Sequence, residues 1–313
     1  MSSVERASIV VIGSTMMDMI SYMPRIPDAG ETLFGDRFAL GFGGKGANQA
    51  VMARRLGADV WMVACLGTDV FGDMTVDNFH AAGIDTTYVT RTPEASSGVA
   101  PIWVGADGQN RIVCVAGANA RMTEEQAENA VSSIPRVDVV VGQFEVPQGV
   151  TAAGFRVAKE RGAVTVLNPA PAAEVSAELL AVTDWLIPNE VEFGSLTRGW
   201  AVDASPTDEA IITMAKRFDV SVVATLGEAG AAIAGGAGPV LRITPPPTTV
   251  VDTTGAGDAF VGAFSYGLAA GRTPVAAARL GCACATSSVS RTGTQSSFPQ
   301  GTDLDTALAW ARG

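Results

Sequence analysis

The sequence predicts an α/β fold, a doubly wound, mostly parallel sheet flanked by helices, with a small β lid. Three observations carry this: apolar β-branched runs recur along the 313 residues, helix-like stretches separate many of them, and two segments break the alternation. The runs are "SIVVIG" at 8–13, "DVWMVACLG" at 59–67, "VDVVVG" at 137–142, "AVTVLN" at 163–168, "WLIPN" at 185–189 and "VSVVATLG" at 220–227. Most are too continuously apolar for a sheet with one wet face, so they read as strands covered on both sides. Stretches such as "PQGVTAAGFRVAKERG" and "SPTDEAIITMAKRFD" supply the intervening helices of a parallel sheet.

The two segments outside this rhythm are 97–117, read as two strands around an Asp107-Gly108 turn, and 19–40, read as an extended, turn-rich excursion. They form either a small antiparallel lid or a surface hairpin decorating the sheet; both readings stay open. Near the end, "FVGAFSYGLAAG" and "PVAAARLGCACATSSVS" place small residues at helical spacing, which suits closely packed helices. A single α/β domain over 1–313 is expected, with the lid segments inserted in it.

Composition narrows the function. A 47% apolar chain can fill a sizeable core, and 21 basic against 32 acidic residues leave a formal charge of -11. That charge offers no broad positive field for a nucleic-acid backbone, so nucleic acid is not an expected partner. No apolar run approaches the roughly 20 residues that span a bilayer, and the first residues lack a basic region followed by a cleavable apolar one. No membrane association and a cytoplasmic location are expected. Cys65, Cys114, Cys282 and Cys284 are scattered and read as buried thiols. His80 is the sole histidine, which removes a Ser-His-Asp triad or a multi-histidine metal site unless His80 itself takes part. Its setting, "DNFHAAG", reads as a helix end with a solvated imidazole.

Two glycine-rich stretches carry the chemistry. In "GFGGKGANQA" (41–50), Gly41, Gly43 and Gly46 match G-x-G-x-x-G, the spacing of a dinucleotide fingerprint. A fingerprint of that kind should leave the first strand directly, yet about thirty residues separate it from "SIVVIG". What remains is a glycine-rich turn feeding a helix. There Lys45 and Asn48 are either donors to an oxygen-rich ligand or solvated side chains of a tight turn. In "DTTGAGDAF" (252–260), Gly255 and Gly257 precede an apolar helix, so the amides of Gly255, Ala256, Gly257 and Asp258 can converge as an anion hole. Asp258 is expected in the first turn, ionised by the amide field and able to accept a hydroxyl proton; the plainer alternative is a carboxylate that favours its helix terminus. No G-x-x-x-x-G-K-[ST] loop occurs, which disfavours a P-loop enzyme.

These two stretches resemble the signatures of the PfkB family of carbohydrate kinases. Five further blocks, "GQFEVP", "LNPAPA", "PNEVE", "TLGEAG" and "GTQSSFP", fall in the order of its ribokinase branch. The resemblance implies a ribokinase-like fold and ATP-dependent phosphorylation of the primary hydroxyl of D-ribose, giving ribose 5-phosphate. The alternative is the same chemistry on another pentose, a ketohexose, an aldonate or a nucleoside. It implies that Asp18, Gly44, Lys45, Asn48 and Glu145 bind sugar hydroxyls and that Asp258 is the general base. It implies a nucleotide site at Asn189, Thr225, Gly227 and Gly257, with adenine near 281–285. It further implies Mg²⁺ held through water by Asn189 and Glu192. A K⁺ site maps to the Asp252 side chain and oxygens of Thr254, Ser288, Arg291, Gly293 and Ser297, and a homodimer through the lid is expected. Read without the resemblance, Asp18 also fits a cap or turn, and Asn189 with Glu192 a helix cap. Met16 departs from the pattern: some ribokinases place there an asparagine that touches the sugar.

Overall fold

The computed structural model describes residues 6–107, 109–200, 204–235 and 238–312. The first strands are β1 (Ser8–Ile12), β2 (Met16–Met23) and β3 (Arg37–Gly43), and helix α1 (Lys45–Arg55) follows β3 without a loop beyond Gly44. Next come β4 (Asp59–Gly67), α2 (Val70–Ala82), β5 (Val89–Thr92), β6 (Val99–Gly105), β7 (Asn110–Ile112), α3 (Glu124–Ser133), β8 (Val139–Gly142), α4 (Gln148–Glu160) and β9 (Val164–Leu167). Then follow α5 (Ala177–Leu180), β10 (Trp185–Leu186), α6 (Glu190–Leu196), α7 (Asp208–Phe218), β11 (Ser221–Thr225), β12 (Ala231–Ala234) and β13 (Leu241–Ile243). The last elements are α8 (Ala256–Ala269), α9 (Pro274–Ser288) and α10 (Thr302–Trp310).

The large sheet runs β13-β12-β11-β10-β9-β8-β1-β4-β5. Its pairs from β5 through β11 are parallel, and the β11–β12 and β12–β13 pairs are antiparallel. Strand β1 shows why the apolar runs are continuous. Ile9 and Val11 enter one core cluster with Phe260, Phe264 and Leu280 of α8 and α9, while Val10 and Ile12 enter another with Val131 and Phe155 of α3 and α4. A side chain of that size contributes about 1.5–3 kcal/mol when fully buried, so helices on both faces are the stable arrangement. The small residues of the C-terminal helices do allow close approach: a Cβ on Gly267 would come within 2.6 Å of Ala277 Cβ, and one on Gly281 within 2.8 Å of Phe260.

The segments outside the alternation form a second, four-stranded sheet of order β3-β2-β6-β7. It is mixed, not antiparallel throughout: β2 pairs with β3 antiparallel, but with β6 parallel. A parallel partner is possible because β2 and β6 are far apart in sequence and β4, α2 and β5 lie between them. The strands extend the expected excursion of 19–40 outward to Met16 and Gly43. Of the expected Asp107-Gly108 turn, Gly108 lies outside the described residues.

Two local expectations are corrected. Gly41 and Gly43 sit inside strand β3 and not in a turn; only Gly44, with φ 89°, adopts the left-handed region. Cys114 is exposed, whereas Cys65, Cys282 and Cys284 are buried thiols. Exposed His80 ends α2, with its Nε2 2.9 Å from Thr86 Oγ1. No helix among the described residues is long and apolar enough to cross a membrane.

Candidate active site

The carboxyl edge of a parallel sheet beside the strand-order reversal is where open α/β folds bind ligands. Here Ser14 follows β1, Gln143 and Glu145 follow β8, Asn168 follows β9, Asn189 follows β10, and Thr225 ends β11. Helices α1 and α8 bring their N-termini to the same edge. A cleft of about 960 Å³ lies against the small sheet, lined by Asp18, Ile20, Ile102, Asp252 and Thr254 among others. Asp258, only 7% exposed, is not among the residues that line it.

The start of α1 is fixed by backbone packing. A Cβ on Gly46 would lie 2.7 Å from Gly13 and Ser14 backbone, and one on Gly44 2.7 Å from Thr15 Cα, so only glycine lets the helix cross the exit of β1. Its first amides are used by protein: Lys45 N donates to Glu145 Oε2 at 2.9 Å and Ala47 N to Ser14 O at 2.9 Å. Glu145 also accepts the Ser14 hydroxyl. Asp18 reaches this spot from β2, where it pairs with Gly41, and its carboxylate lies over Gly43, at which a Cβ would come within 2.5 Å of Oδ1. Met16 shares the Asp18 face by strand alternation and is buried, with Sδ 3.8 Å from Asn119 Nδ2.

Asp258 lies in the first turn of α8, but its carboxylate does not cap that helix. Oδ2 accepts from Asn48 Nδ2 at 2.8 Å and Oδ1 from Gln49 Nε2 at 3.0 Å, both on α1. The amides of Gly255, Gly257 and Asp258 have no acceptor among the described residues, whereas Ala256 N donates to Thr253 O at 3.2 Å. Gly255 has φ 78°, and at Gly257 nothing lies within 4 Å of where a Cβ would stand.

The electrostatics correct one expectation. Asp258 is not held below the ordinary carboxylate range: burial raises it, against the opposing pull of Lys45, Asn48 and Gln49. Asp18 is pushed up to about 7 by burial and by the neighbouring Glu145 and Asp258. Lys45 is the cation of this cluster; burial lowers its proton affinity, but Asp258, Glu145 and Glu192 together raise it above the ordinary value. The fields of three carboxylates thus act on one ammonium.

The remaining positions form two further groups. Asn189 and Glu192 make a capping box at α6: Asn189 Oδ1 accepts from Glu192 N at 2.9 Å, and Glu192 takes Asn189 N at 2.8 Å and Nδ2 at 3.0 Å. Both carboxylate oxygens of Glu192 are therefore engaged by Asn189, and burial raises its proton affinity. Thr225 bridges Asn189 across strands, and Gly227 turns the chain with φ 53°. In the second group, Asp252 accepts from Thr254 N and Gly293 N, each at 2.9 Å. Burial pushes Asp252 up, but these bonds outweigh it and hold the carboxyl below its ordinary range. Arg291 N donates to Ser288 O at 3.2 Å, and its guanidinium donates to Ser297 O at 2.9 Å. The structure brings Asp18, Gly44, Lys45, Asn48, Glu145 and Asp258 into one cluster and keeps Asp252, Ser288, Arg291, Gly293 and Ser297 in an adjoining loop system.

Sequence reasoning missed Gln49, Gln143, Asn168 and Gln295. Gln295 Nε2 donates to Asn48 Oδ1 at 3.1 Å, and Gln49 touches Asp258 directly. The available signal was a polar side chain in an otherwise apolar helix register, "NQAVMA".

Fold and site together define a class: an α/β enzyme with a buried carboxylate and unpaired amides at one helix start, on the carboxyl edge of its parallel sheet. The chain belongs to the pfkB family of carbohydrate kinases, whose sequence model matches residues 6–301, and it is a phosphotransferase acting on a sugar hydroxyl. It is 39% identical over 308 residues to a ribokinase of Mus musculus, covering 97% of this chain and 95% of that one. A deoxyribokinase of Salmonella typhi is 38% identical over 293 residues, covering 93% and 95%. An Arabidopsis thaliana ribokinase solved with ribose and ATP superposes with a TM-score of 0.87 at 28% identity, covering 97% and 99%.

Proposed function

We propose that the protein transfers the γ-phosphoryl group of ATP to the primary hydroxyl of D-ribose. The observation that supports it most is the pairing at one helix start of a buried carboxylate with amides that have no protein acceptor. Asp258 takes the hydroxyl proton as the oxygen attacks the γ-phosphorus in line, and the amides of Gly255, Gly257 and Asp258 stabilise charge on the transferring group; the expected fourth donor, Ala256 N, is taken by Thr253 O. A raised proton affinity suits the base, because its pKa then lies nearer the working pH. Asp18, Gly44, Lys45, Asn48 and Glu145 orient the sugar, and Thr225 and Gly227 line the nucleotide phosphates. The four-stranded sheet acts as a lid that excludes water, a competing acceptor.

Among the described residues no three His, Cys, Asp or Glu side chains are grouped to hold a metal ion. With its carboxylate engaged by Asn189, Glu192 fits magnesium only through water, and Asn189 and Glu192 would hold it so; when bound, magnesium supplies charge neutralisation on the phosphates. The oxygens of Asp252, Thr254, Ser288, Arg291, Gly293 and Ser297 suit a hard monovalent cation, and the ionised Asp252 is their anion. The lid also supports a homodimer. Phe38, Leu40 and Trp103 lie exposed on one of its faces, the side opposite Asp18.

ATP consumption against a sugar panel, with and without K⁺, tests the reading. D-ribose is expected to saturate at the lowest concentration, with turnover raised by K⁺; saturation by fructose or a nucleoside at far lower concentration overturns the ribose assignment. A second reading, 2-deoxyribose, is favoured by Met16, an apolar side chain on the Asp18 face, and by the likeness to the deoxyribokinase. A kcat/KM for 2-deoxyribose above that for ribose, reversed in Met16→Asn, would select it.

A further inference from the structure

We propose that Gln49 is a positioning residue for the general base, its carboxamide fixing Asp258 Oδ1 so that the carboxylate stays aimed at the acceptor hydroxyl. The inference rests on the reading of Asp258 as the base. Gln49 is fully buried, so its amide is positioned to act on the reaction through Asp258. Its orientation is determined by its partners. Gln143 Nε2 donates to Gln49 Oε1 at 2.7 Å, which leaves the two N–H groups of Gln49 for Asp258 Oδ1 at 3.0 Å and Asn168 Oδ1 at 3.2 Å. Asn168 in turn donates to Ile187 O at 2.9 Å. An ionised carboxylate only accepts, so the chain of amides runs one way and presents a donor to Asp258.

The anchors matter as much as the contact. Gln143 follows β8, Asn168 follows β9 and Ile187 follows β10, three adjacent strands of the large sheet. Through Gln49 the rigid sheet edge therefore sets the rotation of a side chain carried by α8. Asn48 holds the other oxygen, but it belongs to the sugar-facing cluster and its own carbonyl is tied to Gln295. Gln49 is the holder whose bonds do not depend on what occupies the cleft. A donor to the ionised form also favours that form, so losing it makes Asp258 harder to deprotonate. The charged groups facing Asp258 are Lys45 on α1, Glu145 after β8, Asp18 on β2 and Glu192 on α6. All of them remain when Gln49 is changed, so a shift in the pH profile reads the lost amide.

The test compares full-length Gln49→Leu with the parent and with Asp258→Asn, measuring kcat and sugar KM across pH. For Gln49→Leu we expect kcat to fall about tenfold, the acid limb of its profile to move up by about one pH unit, and sugar KM to stay within about twofold. A profile that superimposes on the parent, or a change confined to KM, overturns the inference even if Asp258→Asn is inactive. If Asp258→Asn turns over normally, the base assignment itself fails. Should Gln49→Leu not fold, Gln143→Leu decides: it leaves Gln49 beside Asp258 but frees its carbonyl. A shift of the acid limb in the same direction, with kcat down about threefold, supports the inference, and an unchanged profile overturns it.

Discussion

The two glycine-bearing helix starts, at α1 and α8, look alike in sequence and differ in what their glycines are for. At α1, Gly44 and Gly46 make room for the protein's own backbone at Gly13 to Thr15, and the first amides are consumed by Glu145 and Ser14. At α8, Gly257 has open space around it, and the amides of Gly255, Gly257 and Asp258 have no protein partner among the described residues. One start is closed by packing and offers its side chains; the other is left open and offers its backbone. A glycine-rich motif is thus a statement about close approach, and only the partner that approaches says whether the site is structural or ligand-facing.

The comparison can be broken at several points. The largest effect is expected for Asp258→Asn, which keeps the side chain's shape but cannot take a proton and sets an NH2 against one of the two amide donors: kcat should fall by about 10³-fold with the fold retained, as steady-state kinetics and circular dichroism would show. A variant with near-normal turnover would reduce the α8 start to a structural element. Next, the same change at both starts should have opposite consequences. Gly46→Ala forces a methyl into backbone and should destabilise by about 1–3 kcal/mol in denaturant unfolding. Gly257→Ala should leave stability unchanged or raise it by up to about 1 kcal/mol, while cutting kcat about tenfold. Equal destabilisation by both would erase the distinction.

The last effect is at Asp18, crowded by Glu145 and Asp258. A carboxyl raised to about 7 in the fold keeps a proton that the unfolded chain has released, so stability falls as pH rises from the ordinary Asp range to about 7. Asp18→Asn removes that cost: it should be more stable than the parent by about 1–2 kcal/mol at pH 8 and no different near pH 4. Loss of sugar affinity should accompany the gain. Thermal melts across pH check the sign, and a variant destabilised at pH 8 would contradict the crowding of Asp18, Glu145 and Asp258.

Much of this was legible beforehand, for identifiable reasons. Strands such as Ser8–Ile12 and Asp59–Gly67 were visible because a strand buried on both faces must be apolar throughout. The start of α8 was visible because two closely spaced glycines, one of which takes φ 78°, and a carboxylate open an otherwise apolar helix. The parallel pairing of β2 with β6 was not, since register between strands about eighty residues apart leaves no local trace. The proton affinity of Asp258 was misjudged for a related reason: the amide field of its own helix is local and readable, whereas its burial comes from elements far away in sequence.

By itself, then, the sequence determined the α/β class, the two segments outside its strand-helix alternation and the two glycine starts, because periodicity and steric need are written residue by residue. The tertiary structure alone decided which amides stay free and which carboxylates crowd together. It also brought Gln49, Gln143, Asn168 and Gln295 around Asn48 and Asp258. Hydrogen-bond pairing and desolvation depend on neighbours that only the folded chain supplies.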